Sequence, residues 1–286
     1  MINQDSGPLG QLYVVGTPIG NLEDMSFRAV RILQSVDAIA SEDTRHTGKL
    51  LHHFQIKTPQ VSYHQHNHKQ RAPELIDRLL QGQSIALVSD AGLPGISDPG
   101  YELVLACVEA DITVVPIPGP SAALTALTAS GLPSDRFFFE GFLPAKGAER
   151  RGQLSQIEAH THTIILYESP HRLRQTLQDL IDVLGCDRSI VVARELTKLH
   201  ETFWRGDIGD AIALYQTQDP RGEFTLIIAG KTITKTIPSD LELIQQLENL
   251  LDQGISPSQA SRQLAETLGV SRRHLYQLSL ALTATD

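Results

Sequence analysis

The sequence predicts an α/β protein, with two α/β domains followed by a small helical extension. Three observations carry this. Residues 11–115 repeat a strand, loop, helix rhythm, the character changes after Pro116-Ile-Pro-Gly-Pro120, and beyond Lys231 the pattern is wholly helical. Strands separated by helical segments imply a largely parallel sheet in the first part. The adjacent strand pair within Ser189 to Arg205 predicts a mixed sheet in the second. Three prolines in the five residues 116–120 stiffen the connection. The expected division is therefore 1–117, 118–236 and 237–286.

In order along the chain, Gln11 to Val15 reads as a strand ended by Gly16-Thr17-Pro18. Ser26 can cap a helix over Phe27 to Ser35, with Phe27, Val30 and Leu33 at helical spacing. Ala38 to Ser41 is a short strand and Lys49 to Phe54 a helical stretch. Pro73 suits the first turn of a helix that runs to about Leu80 and ends at Gly82. Ile85 to Ser89 is a strand of the buried type, Tyr101 to Ala110 a helix, and Ile112 to Val115 a strand. Ser121 to Ser130 is a helix of small residues that leads to the aromatic run Phe137 to Phe139. Strands follow at Thr163 to Tyr167, Ser189 to Ala193, Thr202 to Arg205 and Phe224 to Ala229, with helices near Leu173 to Leu184 and Ile208 to Tyr215. The last three helices, broken at Gly254 and Gly269, resemble a helix-turn-helix module.

A hydrophobic fraction of 41% and a charged fraction of 20% are ordinary for a soluble globular protein. No apolar run approaches the roughly 20 residues that span a bilayer. Met1 to Gly10 lacks the pattern of a secretory signal. Cys107 and Cys186 lie far apart, which argues against a disulfide framework and suits a cytoplasmic setting. A net charge of −9 leaves nucleic-acid binding to local basic clusters, Lys146 with Arg150 and Arg151, and Arg272 with Arg273 and His274.

Two glycine-rich loops follow strands. Gly16-Thr-Pro-Ile-Gly20 does not match GxGxxG, and its distance from the next helix is too long for a pyrophosphate on that helix N-terminus. Ser89-Asp-Ala-Gly-Leu-Pro-Gly-Ile-Ser-Asp-Pro-Gly100 holds three glycines and two prolines in twelve residues. It reads as a rigid wall that offers peptide groups to a flat ligand at a strand's C-terminal end. Asp90 is a candidate for a cation or hydroxyl there, whereas Asp98 before Pro99 reads as turn chemistry. The run His64-Gln-His-Asn-His68 would place alternate rings on one side of an extended chain, but no further matched ligand supports a metal site and none is expected.

Eight motifs then occur in order. They are Gly16-Thr-Pro-Ile-Gly-Asn-Leu22, Glu42-Asp-Thr-Arg45, the Ser89 to Gly100 loop, Pro118-Gly-Pro-Ser121, Glu140-Gly-Phe-Leu-Pro144, Tyr167-Glu-Ser-Pro-His-Arg-Leu173, Ala193-Arg-Glu-Leu-Thr-Lys198 and Arg221-Gly-Glu223. In these the chain resembles the tetrapyrrole methylase superfamily, specifically its ribosomal branch of small-subunit rRNA methyltransferases. Leu93 departs from the pattern, where a small polar residue is more usual.

The resemblance implies an inter-domain cleft for S-adenosylmethionine, a homodimer, and methylation of a cytidine ribose 2′-hydroxyl in the decoding region of 16S rRNA. By motif position it implies cofactor contacts at Ile19, Asp90, Ala91, Gly92, Ile96, Ser121 and Ala122, with Glu168, Arg194 and Glu223 from the second domain.

A ribose hydroxyl is a poor nucleophile until its proton begins to leave, so a nearby base is expected. Lys198 is the first candidate, with a pKa depressed by neighbouring positive charge from Arg194 and the sulfonium, and Asp43 the second. Arg45, Lys146 and Arg172 are candidates for phosphate contacts. A methyltransferase of the same fold acting on a tetrapyrrole precursor, and a non-catalytic nucleic-acid-binding protein, are the competing readings.

Overall fold

The computed structural model describes residues 9–232 and 238–283. The boundary expected at 236/237 and most of the segment Met1 to Gly10 lie outside them. The chain forms two compact units, Met1–Lys231 and Thr232–Asp286.

The larger unit contains two five-stranded sheets. The first holds β1 (Gln11–Val15), β2 (Ala38–Ser41), β3 (Gln60–Ser62), β4 (Ile85–Val88) and β5 (Thr113–Ile117) in the order β3-β2-β4-β1-β5, all parallel. Parallel strands need crossovers, and four helices supply them. These are α1 (Phe27–Ser35), α2 (Thr44–His53), α3 (His68–Leu80) and α4 (Tyr101–Glu109). Helices cover both faces, so β2 and β4 are buried at every position. Pro116 lies within β5, an edge strand, where its missing N–H breaks no ladder.

Ser26 does cap α1, its Oγ accepting from Ala29 N at 3.0 Å. Phe27, however, is 98% exposed. At 100° per residue it lies about 160° around the helix from buried Ala29, so it faces away from the core. Helix α3 begins five residues before Pro73, which sits inside it. The residues His64 to His68 form a turn and a helix start, not an extended run. His64 Nδ1 accepts from His66 N at 3.2 Å and the two rings meet edge to face at 5.9 Å, a turn geometry and not the alternation of an extended chain.

The second sheet holds β6 (Phe137–Phe142), β7 (Thr163–Glu168), β8 (Ser189–Arg194), β9 (Thr202–Asp207) and β10 (Phe224–Ile228) in the order β6-β7-β10-β8-β9. Only β6 and β7 are parallel, so the sheet is mixed as expected. One face packs on α5 (Ala122–Ser130); the other carries α6 (Gly147–Ala159), α7 (Leu173–Leu184) and α8 (Ile208–Thr217).

The smaller unit is built from α9 (Asp240–Asp252), α10 (Pro257–Leu268) and α11 (Arg272–Thr283) around Leu243, Leu247, Leu264 and Leu275. Ser239 and Glu242 form a reciprocal capping box, and Gly269 ends α10 in the left-handed conformation. Of the basic cluster there, His274 is paired with Asp240 at 2.7 Å. No helix among the described residues is long and apolar enough to cross a membrane.

Candidate active site

Because the first sheet is wholly parallel, the loops after β1, β2, β4 and β5 emerge at one edge. Open α/β sheets bind ligands at that edge. The loop after β1 and the wall after β4 are joined in register, Thr17 N donating to Gly92 O (2.9 Å) and Gly92 N to Thr17 O (3.1 Å). The loop after β5 meets the loop after β1 backbone to backbone. A methyl group built on Gly119 would stand 2.7 Å from Gly16 Cα, so neither position admits a side chain. Gly92 has φ +81, a conformation that L side chains rarely adopt.

These loops and the second sheet enclose a cleft of about 950 Å³. The first lobe lines it with Ile19, Ala91, Gly92 and Ile96, and the start of α5 adds Ser121 and Ala122. The second lobe contributes Glu168, Glu223, Tyr167 and Phe142. Antiparallel register explains the convergence: Phe224, next to Glu223, pairs with Glu168 on one side and Arg194 on the other. The Tyr167 hydroxyl accepts from Ala123 N at 3.1 Å and fixes the start of α5. Leu93 is half-buried in the wall, against Gly16, and lines the cleft.

Two of the ten expected cofactor residues are not in this cleft. Arg194 turns to the far side, where its Nε donates to Arg221 O at 2.6 Å. Asp90 faces an adjoining cavity and accepts from Asp43 N at 3.0 Å. The residue that sequence reasoning set aside, Asp98, lines the cleft instead. Burial, with the nearby charges of Glu42 and Asp90, pushes its carboxyl up to about 6, although a hydrogen bond from Ser89 opposes the shift. Glu42 is raised as well, by burial first and by Asp90.

The candidates for the base are placed differently from expectation. Asp43 caps α2, accepting from Arg45 N at 2.8 Å and from the Arg45 guanidinium at 3.0 Å. These bonds hold its carboxyl down at about 2, which makes it a weak proton acceptor. Lys198 Nζ lies 2.7 Å from Glu223 and 3.0 Å from Glu195. Burial lowers its pKa, but the hydrogen bonds and charges of Glu223 and Glu195 outweigh that and hold it above the ordinary lysine value. The expected depression by Arg194 is reversed because two carboxylates, not a second cation, surround the ammonium. Glu195 and Thr197 both have positive φ (53° and 64°), so the loop that presents Lys198 is tightly coiled.

Among the phosphate candidates, Arg45 is exposed and tied to Asp43, and Lys146 is exposed at the start of α6. Arg172 is a strut instead. It donates to Leu143 O at 2.5 Å and to Glu168 Oε2 at 3.3 Å, and its side chain stays 32% exposed. Arg150, by contrast, is buried and paired with Asp179 at 2.6 Å, so the expected basic cluster loses its middle member.

The residues fit S-adenosylmethionine on grounds of chemistry. A backbone wall with no Cβ at Gly92 suits a flat adenine and ribose, and Ile19, Ile96 and Phe142 give apolar cover. The Asp98 carboxyl is an anion beside the cleft that a sulfonium cation would favour in its ionised form.

A family model described as tetrapyrrole (corrin/porphyrin) methylases matches residues 11–212. A protein of Synechocystis sp. named ribosomal RNA small subunit methyltransferase I is 59% identical over 278 residues, which cover 96% of this chain and 99% of that one. A protein of the same name from Halalkalibacterium halodurans is 47% identical over 274 residues, 94% of each. Among solved structures, uroporphyrin-III C-methyltransferase from Thermus thermophilus, complexed with S-adenosylhomocysteine, aligns with a TM-score of 0.55 at 16% identity. The alignment covers 76% of this chain and 97% of that one, and it shows a shared fold.

Proposed function

The chain belongs to the tetrapyrrole methylase family, in its ribosomal RNA small subunit methyltransferase I branch, and from that premise we propose that it methylates 16S rRNA. The reaction is S-adenosylmethionine-dependent transfer of a methyl group to the ribose 2′-hydroxyl of a cytidine in the decoding region. The observation that carries the reading is the cleft itself, in which eight residues expected from the motifs meet from two sheets. Relatives named for small-subunit rRNA methylation support the substrate, and the fold neighbour complexed with S-adenosylhomocysteine supports the cofactor. A homodimer acting in the cytoplasm belongs to the same reading, as does the division at 1–117, 118–236 and 237–286.

Bound S-adenosylmethionine supplies an electrophilic methyl group on a sulfonium. The protein's own contribution is positional. Ala91, Gly92, Ser121 and Ala122 hold the nucleoside part against rigid backbone, and Asp98 provides countercharge. Most of the catalysis would then come from holding the acceptor oxygen in line with the methyl carbon. Lys198, held as a cation by Glu195 and Glu223, positions the acceptor's side of the cleft and does not begin as a free base. Arg45 and Lys146 remain the candidates for phosphate contacts.

Incubation with labelled S-adenosylmethionine and small ribosomal subunits, followed by mapping of the labelled nucleotide, tests the reading. Label on a single cytidine ribose is the expected result. Label on a tetrapyrrole precursor and none on RNA would overturn it.

A further inference from the structure

A second cavity, of about 860 Å³, adjoins the cofactor cleft and shares Ile19, Ala91 and Glu223 with it. Its character is different. The exposed side chains of His46 and Lys49, one turn apart on α2, stand on its wall, and Lys198 closes it from the second lobe. Thr47 lies between them, 2% exposed, and its hydroxyl has no hydrogen-bond partner. Buried polar groups are nearly always satisfied, so this hydroxyl is an unused donor in the cavity wall. Asp90 stands at the border with the cofactor cleft.

Resting on the methyltransferase reading above, the geometry points to this cavity as the acceptor subsite. It takes one unstacked nucleotide of single-stranded RNA, with His46 and Lys49 on its phosphate and the Thr47 hydroxyl on its sugar. Three features agree with that ligand. Sequence-specific RNA recognition mostly takes single-stranded segments whose bases can be splayed out, and the cavity is large enough for one such nucleotide. The Lys49 ammonium, with the His46 ring as a hydrogen-bonding neighbour one turn away, answers a phosphate in an otherwise acidic protein. The shared residues put the acceptor next to the cofactor, with the Lys198 and Glu223 pair between them at 2.7 Å.

The test compares wild type with Lys49→Ala, His46→Ala and, as a charge-matched control outside the cavity, Lys57→Ala. Binding of a fluorescein-labelled single-stranded RNA oligonucleotide is followed by anisotropy at several salt concentrations. Binding of S-adenosylhomocysteine is followed by calorimetry and KM for small ribosomal subunits by label transfer. Lys49→Ala and His46→Ala should each weaken oligonucleotide binding by about tenfold and raise KM, and Lys49→Ala should also flatten the salt slope by somewhat less than one unit. Affinity for S-adenosylhomocysteine should stay within about twofold, which also certifies the fold. Unchanged oligonucleotide binding, or an equal loss in Lys57→Ala, would overturn the subsite while a wild-type protein that labels RNA leaves the proposed function standing. A matching loss of S-adenosylhomocysteine affinity would assign the cavity to the cofactor. A wild type that neither binds the oligonucleotide nor labels subunits overturns the proposed function, and the nucleotide assignment with it.

Discussion

The two sheets build the cleft by opposite means. The parallel sheet supplies mainly main chain, in loops whose glycines let peptide groups stand bare and touch each other. The mixed sheet supplies side chains held in ion pairs, such as Glu168 with Arg172 and Lys198 with Glu195 and Glu223. A backbone surface tolerates no added atoms but needs no partners. A side-chain surface tolerates size changes at its rim and fails when a buried partner is removed.

The largest expected effect lies in the second lobe. Glu168 is wholly buried and accepts from Ser169 N at 2.7 Å, from Thr176 Oγ1 at 2.5 Å and from Arg172. Glu168→Ala strands these donors and should cost about 3–5 kcal/mol, the usual figure for half of a buried pair. Urea denaturation measures it, and a loss below about 1 kcal/mol would mean the network is dispensable. Next is Gly92→Val, where a left-handed backbone strain of roughly 1–3 kcal/mol is added to a blocked wall. It should weaken S-adenosylhomocysteine about 10- to 100-fold by calorimetry, with a melting temperature only a few degrees lower.

Asp98 breaks the contrast, as a first-lobe side chain that matters, and it yields a pH signature. Its folded pKa of about 6 exceeds the unfolded value near 3.9, so the folded protein binds more protons between those values. The group's contribution is therefore most favourable below about pH 4 and is lost as pH rises through about 6. Asp98→Asn should be more stable than wild type at pH 7 by about 1–2 kcal/mol, with the gap closing toward pH 4. S-adenosylmethionine, a cation, should bind wild type more tightly as pH rises through 6, whereas neutral S-adenosylhomocysteine should not. Equal pH profiles for the two ligands would remove Asp98 from the site.

The smallest effect is expected at Glu223→Gln. This carboxylate is 77% exposed and its ion pair is worth little to stability, within about 0.5 kcal/mol. The variant should instead lower the Lys198 pKa, seen as a shift in the side-chain NMR titration. A stability loss of several kcal/mol would show that the pair is structural.

Much of this was legible in the chain. The Ser26 cap, the parallel-then-mixed division and the bare wall of Ser89 to Gly100 follow from local chemistry, which glycines, prolines and caps announce. Other elements were silent. Strand β3 has only three residues, too few for an alternating pattern. Helix α6 shows little amphipathic patterning, because one of its three buried residues is Arg150, an arginine hidden by its pairing with Asp179. The surroundings of Lys198, Arg172 and Asp98 were only partly legible. Glu195 and Glu168 lie within one helical turn's spacing of Lys198 and Arg172, but Glu223, the Leu143 carbonyl and the burial of Asp98 come from the tertiary fold, and spacing along a chain carries no trace of those.

The contact of Gly16 with Gly119 has a consequence for redesign. Two loops locked at main-chain distance behave as one casting, so the main-chain wall of the cleft is not a dial that point substitutions can turn. Any attempt to retarget this scaffold to a different acceptor has its freedom on α2 and on the loop of Lys198, around a cofactor seat that stays as it is.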